Sequence, residues 1–231
     1  MTRKNVTAVL VHGAWADGSS WRDVIGPLRE AGVDVVAAPL PLTSLQDDAA
    51  ALERTLERVD GPVVLVGHAY AGAVIGEARN DKVRALVYVA ALAPDEGEVV
   101  ADVFHRGEPH PLAPKLAPDA HGLIWLPRDA FAAAFAQNAS ATAVEWLAAV
   151  QRPIAVPCIG TPVGRPRWKD VPAWYLLAED DRMIRRETQV FMAERMKATI
   201  VAQPVDHTPS VTAPGMVAEI VLAAVAAVTG A

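Results

Sequence analysis

Short aliphatic and β-branched runs recur along the chain, separated by longer segments in which apolar residues return every three or four positions. The runs Val6–Val11, Val33–Ala37, Val63–Val66, Val83–Ala90, Ala173–Ala178 and Thr199–Ala202 read as strands. Helical spacing falls between them, near Ser20–Ala31, Ser44–Val59, Tyr70–Arg79, Arg186–Lys197 and Pro214–Val228. In the second of these segments Leu45, Ala49, Leu52, Leu56 and Val59 form one stripe, and Asp47, Glu53, Arg54 and Glu57 are available for the wet face. Ser44 followed by Asp47 resembles a capping box. Strands alternating with helices predict an α/β architecture, a mostly parallel twisted sheet of about six strands covered on both faces.

The rhythm breaks between about Pro94 and Val171. Proline-rich pieces at Pro109–Pro118 and Pro153–Pro172 flank alanine-rich helical patterns around Asp129–Ala136 and Ala141–Val150. The interruption is too long for a simple loop and predicts a helical cap inserted over one edge of the sheet. The expected division is a core of residues 1–93 and 171–231 with a cap of residues 94–170. No fixed-period repeat is visible.

Composition narrows the partners. Against 27 acidic residues the 231-residue chain has 21 Lys and Arg, a net charge of −6, which argues against nucleic acid. Hydrophobic residues make up 52%, so a sizeable core is available and disorder is excluded. The start, Met1-Thr-Arg-Lys before an apolar run, superficially resembles a signal peptide, but His12 and Gly13 interrupt it. The late apolar stretch Val217–Val228 contains Glu219 and is too short to span a bilayer. One cysteine, Cys158, cannot form an intrachain disulfide. A soluble cytoplasmic protein without a membrane partner is expected, and a homodimer is compatible with the sequence.

The chemistry is carried by Val63-Val-Leu-Val-Gly-His-Ala-Tyr-Ala-Gly72, a buried strand, a tight turn of small residues and an immediate helix. This is the layout of a nucleophile elbow, Gly-x-Ser-x-Gly, in which the serine is held exposed on a strained turn. Here Ala69 stands at the serine position, and Ala71 followed by Gly72 at the last glycine. His12-Gly13-Ala14 follows the first strand, where a backbone amide can face an oxyanion, and Tyr70 supplies the other expected amide, after the nucleophile position. Glu179-Asp180-Asp181 and Asp206-His207-Thr-Pro follow later strands. The order nucleophile, acid, histidine is that of an α/β-hydrolase triad.

Together these segments resemble the compact α/β-hydrolases grouped with plant methylesterases, hydroxynitrile lyases and small bacterial esterases. The likeness runs through Leu-Val-His-Gly-Ala-Trp with Gly18 and Trp21, the elbow, Trp-Tyr-Leu-Leu-Ala-Glu-Asp-Asp-Arg-Met-Ile, Phe191-Met-Ala-Glu-Arg-Met, and Asp-His-Thr-Pro. The resemblance implies His207 as general base and Asp181 as the triad acid, with Asp180 as the alternative. It implies Ala14 and Tyr70 as backbone donors. It also implies an esterase-type hydrolase of a small apolar carboxylic ester, aryl ester or lactone. At Ala69 the chain departs from the family, since alanine has no atom with which to attack. Histidine, acid and oxyanion loop all remain readable, which points to a serine replaced deliberately to hold substrate or product.

Two other readings stand beside that one. The His207–Asp181 pair can act as a general base without a serine nucleophile, activating water or driving elimination or decarboxylation. The fold can also serve as a non-catalytic receptor for a small ligand. Hydroxynitrile lyase activity is disfavoured because its threonine and lysine positions are Gly13 and Thr208 here. Epoxide hydrolases and dehalogenases are disfavoured because their carboxylate nucleophile sits where Ala69 stands.

Bland readings suit most other candidates. His68 and His12 read as structural, and Arg182, Arg185 and Arg186 as a solvated helix start. His105, Glu108, His110 and His121 lack metal-ligand spacing, and no glycine-rich phosphate loop follows a strand, so neither metal nor cofactor is expected. Trp15, Trp125, Phe131, Phe135 and Trp146 are the candidate walls of a substrate pocket under the cap.

Overall fold

A computed structural model describes residues 6–230; the basic start Met1–Lys4 lies outside the described residues. The chain first lays down strand β1 (Thr7–Val11), helix α1 (Arg22–Glu30), β2 (Asp34–Ala38), α2 (Leu45–Glu57), β3 (Val63–His68), α3 (Ala71–Gly76) and β4 (Val83–Val89). Next come α4 (Val100–Phe104), β5 (Leu123–Ile124), α5 (Arg128–Ala130), α6 (Ala141–Val150), β6 (Ile154–Ala155) and α7 (Val156–Gly160). The chain then returns with β7 (Ala173–Ala178), α8 (Arg186–Arg195), β8 (Thr199–Gln203), α9 (Pro209–Thr212) and α10 (Pro214–Thr229). Six strands form one sheet in the order β2-β1-β3-β4-β7-β8, and every pair in it is parallel. Among the described residues no helix is long and apolar enough to cross a membrane.

Alternation along the strands sorts the core into two layers. Ala8 and Leu10 of β1 and Val64 and Val66 of β3 pack with Trp21, Val24 and Leu28 of the α1 region and Val217, Ile220 and Val221 of α10. Val9, Val11, Val63 and Leu65 face the other way, toward Leu52 and Leu56 of α2 and Val74 and Ile75 of α3. With both faces covered, the inner strands are almost wholly apolar, as the continuous apolar runs predict; the polar exceptions are Thr7 and His68 at strand ends, Arg84 near the start of β4, and the phenols of Tyr88 and Tyr175.

All the strands point the same way, so the segments after β1, β3, β7 and β8 emerge at one edge of the sheet, where ligands bind in open parallel sheets. The segment from β4 to β7 lies against this edge. Its short strands pair antiparallel, Leu123 with Ala155 and Ile124 with Ile154, and the Ala155 amide donates to Leu42 O at 3.0 Å. The expected helix over Asp129–Ala136 divides: α5 passes into a wider π-type turn at Phe131–Phe135. Helix α7 has no counterpart in the periodicity, because Pro157 and Gly160 read as loop residues; here Pro157 sits in the first turn, where its missing N–H is harmless. The expected helix after Tyr70 stops early, at Gly76.

Candidate active site

Ala69 closes the strand–helix turn in the left-handed region, at φ 50°, a conformation that costs a non-glycine residue about 1 kcal/mol or more. Hydrogen bonds hold it there: its amide donates to Val89 O at 3.3 Å, and its carbonyl accepts from Gly72 N at 3.1 Å and Leu92 N at 2.9 Å. The glycines are required by close backbone approaches. A Cβ on Gly67 would lie 2.9 Å from Ala71 O, and one on Gly72 only 2.3 Å from Leu92 O. The tightest contact thus falls on Gly72, which explains why Ala71 is tolerated one position earlier. Gly72→Ala is expected to destabilise by about 3 kcal/mol through backbone overpacking. Gly26→Ala, in α1 with nothing within 4 Å of the added methyl, is expected to stabilise by about 0.5–1 kcal/mol. Urea unfolding of the two variants reads both.

His207 follows β8, and its Nδ1 lies 2.8 Å from Asp181 Oδ2. The same carboxylate is pinned on its other sides. Asp181 Oδ1 accepts from Met183 N at 2.7 Å and Ile184 N at 2.9 Å, and Gln189 Nε2 donates to Oδ2 at 3.0 Å. Asp180 is exposed and its amide donates to Val205 O, so of the two aspartates it is Asp181 that faces the imidazole. Gln189 is fully buried and also exchanges hydrogen bonds with the backbone of Ala178 and Ile184. Asp206, equally buried, accepts from Thr208 N, Thr212 Oγ1 and Asn138 N, fastening the histidine loop to the segment before α6. Thr208 donates its hydroxyl to Phe135 O at 2.6 Å.

Ala14 and Tyr70 both border the cavity above Ala69. Their neighbours' amides are occupied, Trp15 N by Arg152 O at 3.0 Å and Ala69 N by Val89 O. The Ala14 and Tyr70 amides are not among the donors of backbone hydrogen bonds in these loops. The cavity has a volume of about 350 Å³ and also contacts His207. Its wall is mostly aliphatic, with Leu92, Val100, Leu116, Ile154, Ile159 and Ile184 prominent and Phe104 beside Trp15 and Tyr70 as aromatic members, and it carries no carboxylate, lysine or arginine. His105 is the one further ionisable side chain beside Tyr70 and His207.

Of the five aromatic residues expected to line a pocket, Trp15 alone borders this cavity. Trp125 is 48% exposed and donates its indole N–H to Asp119 Oδ2 at 3.2 Å. Phe131 and Phe135 are fully buried: the π-type turn directs them inward, and Phe135 packs beside Trp15, His68 and His207. Trp146 is half-buried under the Arg22 guanidinium. The wall comes instead from α4, the Leu116–Pro118 stretch and α7, whose branched residues have no helical stripe long enough to read from sequence.

The other histidines are separated. His105 lies at the cavity and His110 in a polar cleft beside Asp180 and the arginines 182, 185 and 186. Two of these arginines pair with carboxylates, Arg185 with Glu187 and Arg186 with Glu179. His12 is held neutral: Nε2 accepts from Leu40 N at 3.1 Å and Nδ1 faces Gly13 O at 3.0 Å, and burial lowers its pKa. His68 is buried under the elbow with Nε2 bonded to His207 O at 2.7 Å. Burial, with help from His207, pushes its pKa down to about 3.

A second buried network stands behind the elbow. Asp48 accepts from Tyr70 Oη at 2.7 Å and Leu42 N at 2.7 Å, and Cys158 Sγ lies 3.7 Å away. Burial raises the carboxyl's pKa and drives the Cys158 thiol up to about 12. Since Asp48 ionises more readily in the unfolded chain, the stability it lends is full at low pH and declines as pH rises from its ordinary value to its raised one. The stability difference between the unaltered protein and Asp48→Asn should therefore shift against the unaltered protein over that interval, read by urea unfolding at several pH values. Asp48 falls three residues after Leu45 and four before Leu52, so a carboxylate on the apolar stripe was the available sign.

Residues 8–220 match the Alpha/beta hydrolase family. Over 116 residues the chain is 33% identical to the carbendazim hydrolyzing esterase of Nocardioides sp. (strain SG-4G), covering 44% of this chain and 48% of that protein. It is 23% identical to the alpha/beta hydrolase nvfD of Aspergillus novofumigatus (strain IBT 16806), over 92% of this chain and 94% of the relative. A crystal structure of a pyrethroid hydrolase from Sphingobium faniae JZ-2 superposes with a TM-score of 0.82 at 21% identity, covering 98% of this chain and 100% of that one. With a family match running from the first strand into the last helix, the chain belongs to the alpha/beta hydrolase family.

Proposed function

We propose that the cavity above Ala69 is a carboxylic ester hydrolase site without its nucleophile, closed by residues 94–170 as a cap. It binds a small, uncharged, apolar ester, aryl ester or lactone and turns it over inefficiently. The observation that carries this reading is the φ of 50° at Ala69, with Ala14, Ala69, Tyr70 and His207 all lining one cavity. An alanine gains nothing from that conformation, whereas a serine there presents its hydroxyl to substrate and base together. Neutral substrates suit a wall without a carboxylate, lysine or arginine, because nothing in it pairs a buried charge. The esterase and hydrolases among the similar proteins support the same reaction class.

In the complete site the serine oxygen attacks the ester carbonyl while His207 Nε2 takes its proton. Asp181 holds Nδ1–H and stabilises the imidazolium, and the Ala14 and Tyr70 amides receive the oxyanion. With a methyl in place of the hydroxyl the acyl-enzyme cannot form. Replacing Ala69 by serine and assaying p-nitrophenyl butyrate tests the proposal.

A further inference from the structure

We infer that the chain with Ala69 catalyses enolisation: His207 removes a proton from the carbon α to the carbonyl of a small apolar ketone or ester, and the Ala14 and Tyr70 amides hold the enolate oxygen. The inference rests on the carbonyl-binding reading of the cavity given above, and asks what the side chains actually present can do there.

Three observations converge on it. The base is built to accept a proton: Nδ1 is fixed by an Asp181 carboxylate that itself receives two backbone amides and the Gln189 side chain. The oxyanion donors need no nucleophile, since an enolate and a tetrahedral intermediate place negative charge on the same carbonyl oxygen. The proton to be taken sits on a carbon about 1.5 Å from the carbonyl carbon, so a small shift of the bound carbonyl brings its α-hydrogen toward the base once the serine oxygen is not in the way.

Direct attack by water on an ester that has not first been captured as an acyl-enzyme fits the same wall poorly. A held water needs 2–4 polar partners. Near Ala69 the wall offers Leu92, Met183 and Ile184, the Tyr70 phenol is engaged by Asp48, and His105 is exposed. Removing the two oxyanion amides from the count leaves His207 alone. A carbon acid needs no such seat, and an apolar wall strengthens the electrostatic hold on the enolate.

The step balances within the site. The α-C–H bond breaks and its proton joins His207 Nε2. The electron pair forms the carbon–carbon double bond as the carbonyl π pair moves to oxygen. The imidazolium Nε2–H, paired with Asp181, trades its proton with solvent before a proton is delivered back to the carbon, so in D2O the net reaction is replacement of the α-hydrogen by deuterium.

The test uses the unaltered chain and 2-tetralone, a neutral ketone, in buffered D2O, following loss of the C1 proton signal by NMR. Exchange is expected to run about 10²–10⁴-fold faster than with His207→Gln, the usual range for a positioned general base, with Asp181→Asn also slowed. Circular dichroism establishes that each variant is folded, and Asp181→Asn carries the comparison if His207→Gln is not. Exchange no faster than in folded variants overturns the inference, as does absence of tetralone binding by tryptophan quenching. If Ala69→Ser gains ester hydrolysis while the unaltered chain shows no exchange, enolisation fails and the ester reading stands. Exchange with no gain in Ala69→Ser removes the ester reading and leaves enolisation in place.

Discussion

Ala69→Ser is expected to raise p-nitrophenyl butyrate hydrolysis by up to about a million-fold, the loss seen when the nucleophile of a serine hydrolase is removed. The size of the gain follows from how little else must change. The left-handed turn is already occupied by a residue with a Cβ, so serine adds one oxygen and no new backbone strain. That oxygen enters a cavity already bordered by Ala69 and His207, and the imidazole is already oriented by Asp181 at 2.8 Å. Stability should move by no more than about 0.5 kcal/mol, as for substitutions that neither bury an unpaired group nor overpack. Adding His207→Gln to Ala69→Ser should return hydrolysis close to the starting level, because nucleophile and base act as a unit. A folded Ala69→Ser protein with no added hydrolysis of short aryl esters would sink the proposal.

The sheet was legible because strands buried on both faces are written as unbroken apolar runs: each of the six predicted runs coincides with a strand of the sheet to within about two residues. The elbow was legible because backbone crowding restricts Gly67 and Gly72 to glycine, and such restrictions leave a mark in sequence. The cavity wall was not. Trp125, Phe131, Phe135 and Trp146 have the size expected of a pocket wall, yet which way a cap side chain points depends on the π-type turn and on contacts over a hundred residues away, such as Trp15 Nε1 to Ile124 O. Asp206 was visible only as the residue before His207; its anchoring role was not, since it fastens its own loop to Asn138 across the fold. Gln189 left a weak one, a polar residue three positions before buried Met192 in α8.

The buried histidines make the fold sensitive to acid. His68 has an ordinary pKa of 6.5 when unfolded and about 3 when folded. Folding therefore excludes a proton that the unfolded chain accepts, so the stability His68 permits is complete above about pH 6.5 and falls as pH drops toward 3. The full shift corresponds to about 5 kcal/mol at 1.36 kcal/mol per unit, a large part of the roughly 5–15 kcal/mol that a native domain possesses. His12 adds to the loss, since burial lowers its pKa also, while Asp48, with its raised pKa, opposes it. His68→Gln retains a donor for His207 O, which the imidazole Nε2 now reaches at 2.7 Å, and removes the titration. Its unfolding free energy in urea, measured from pH 6.5 down to 4, should decline less steeply than that of the unaltered protein by about 1.4 kcal/mol per pH unit, the slope of one proton. Equal slopes in the two proteins would mean that His68 is protonated in the fold, with its charge beneath the His207 loop, and the neutral-histidine account of the elbow would be wrong.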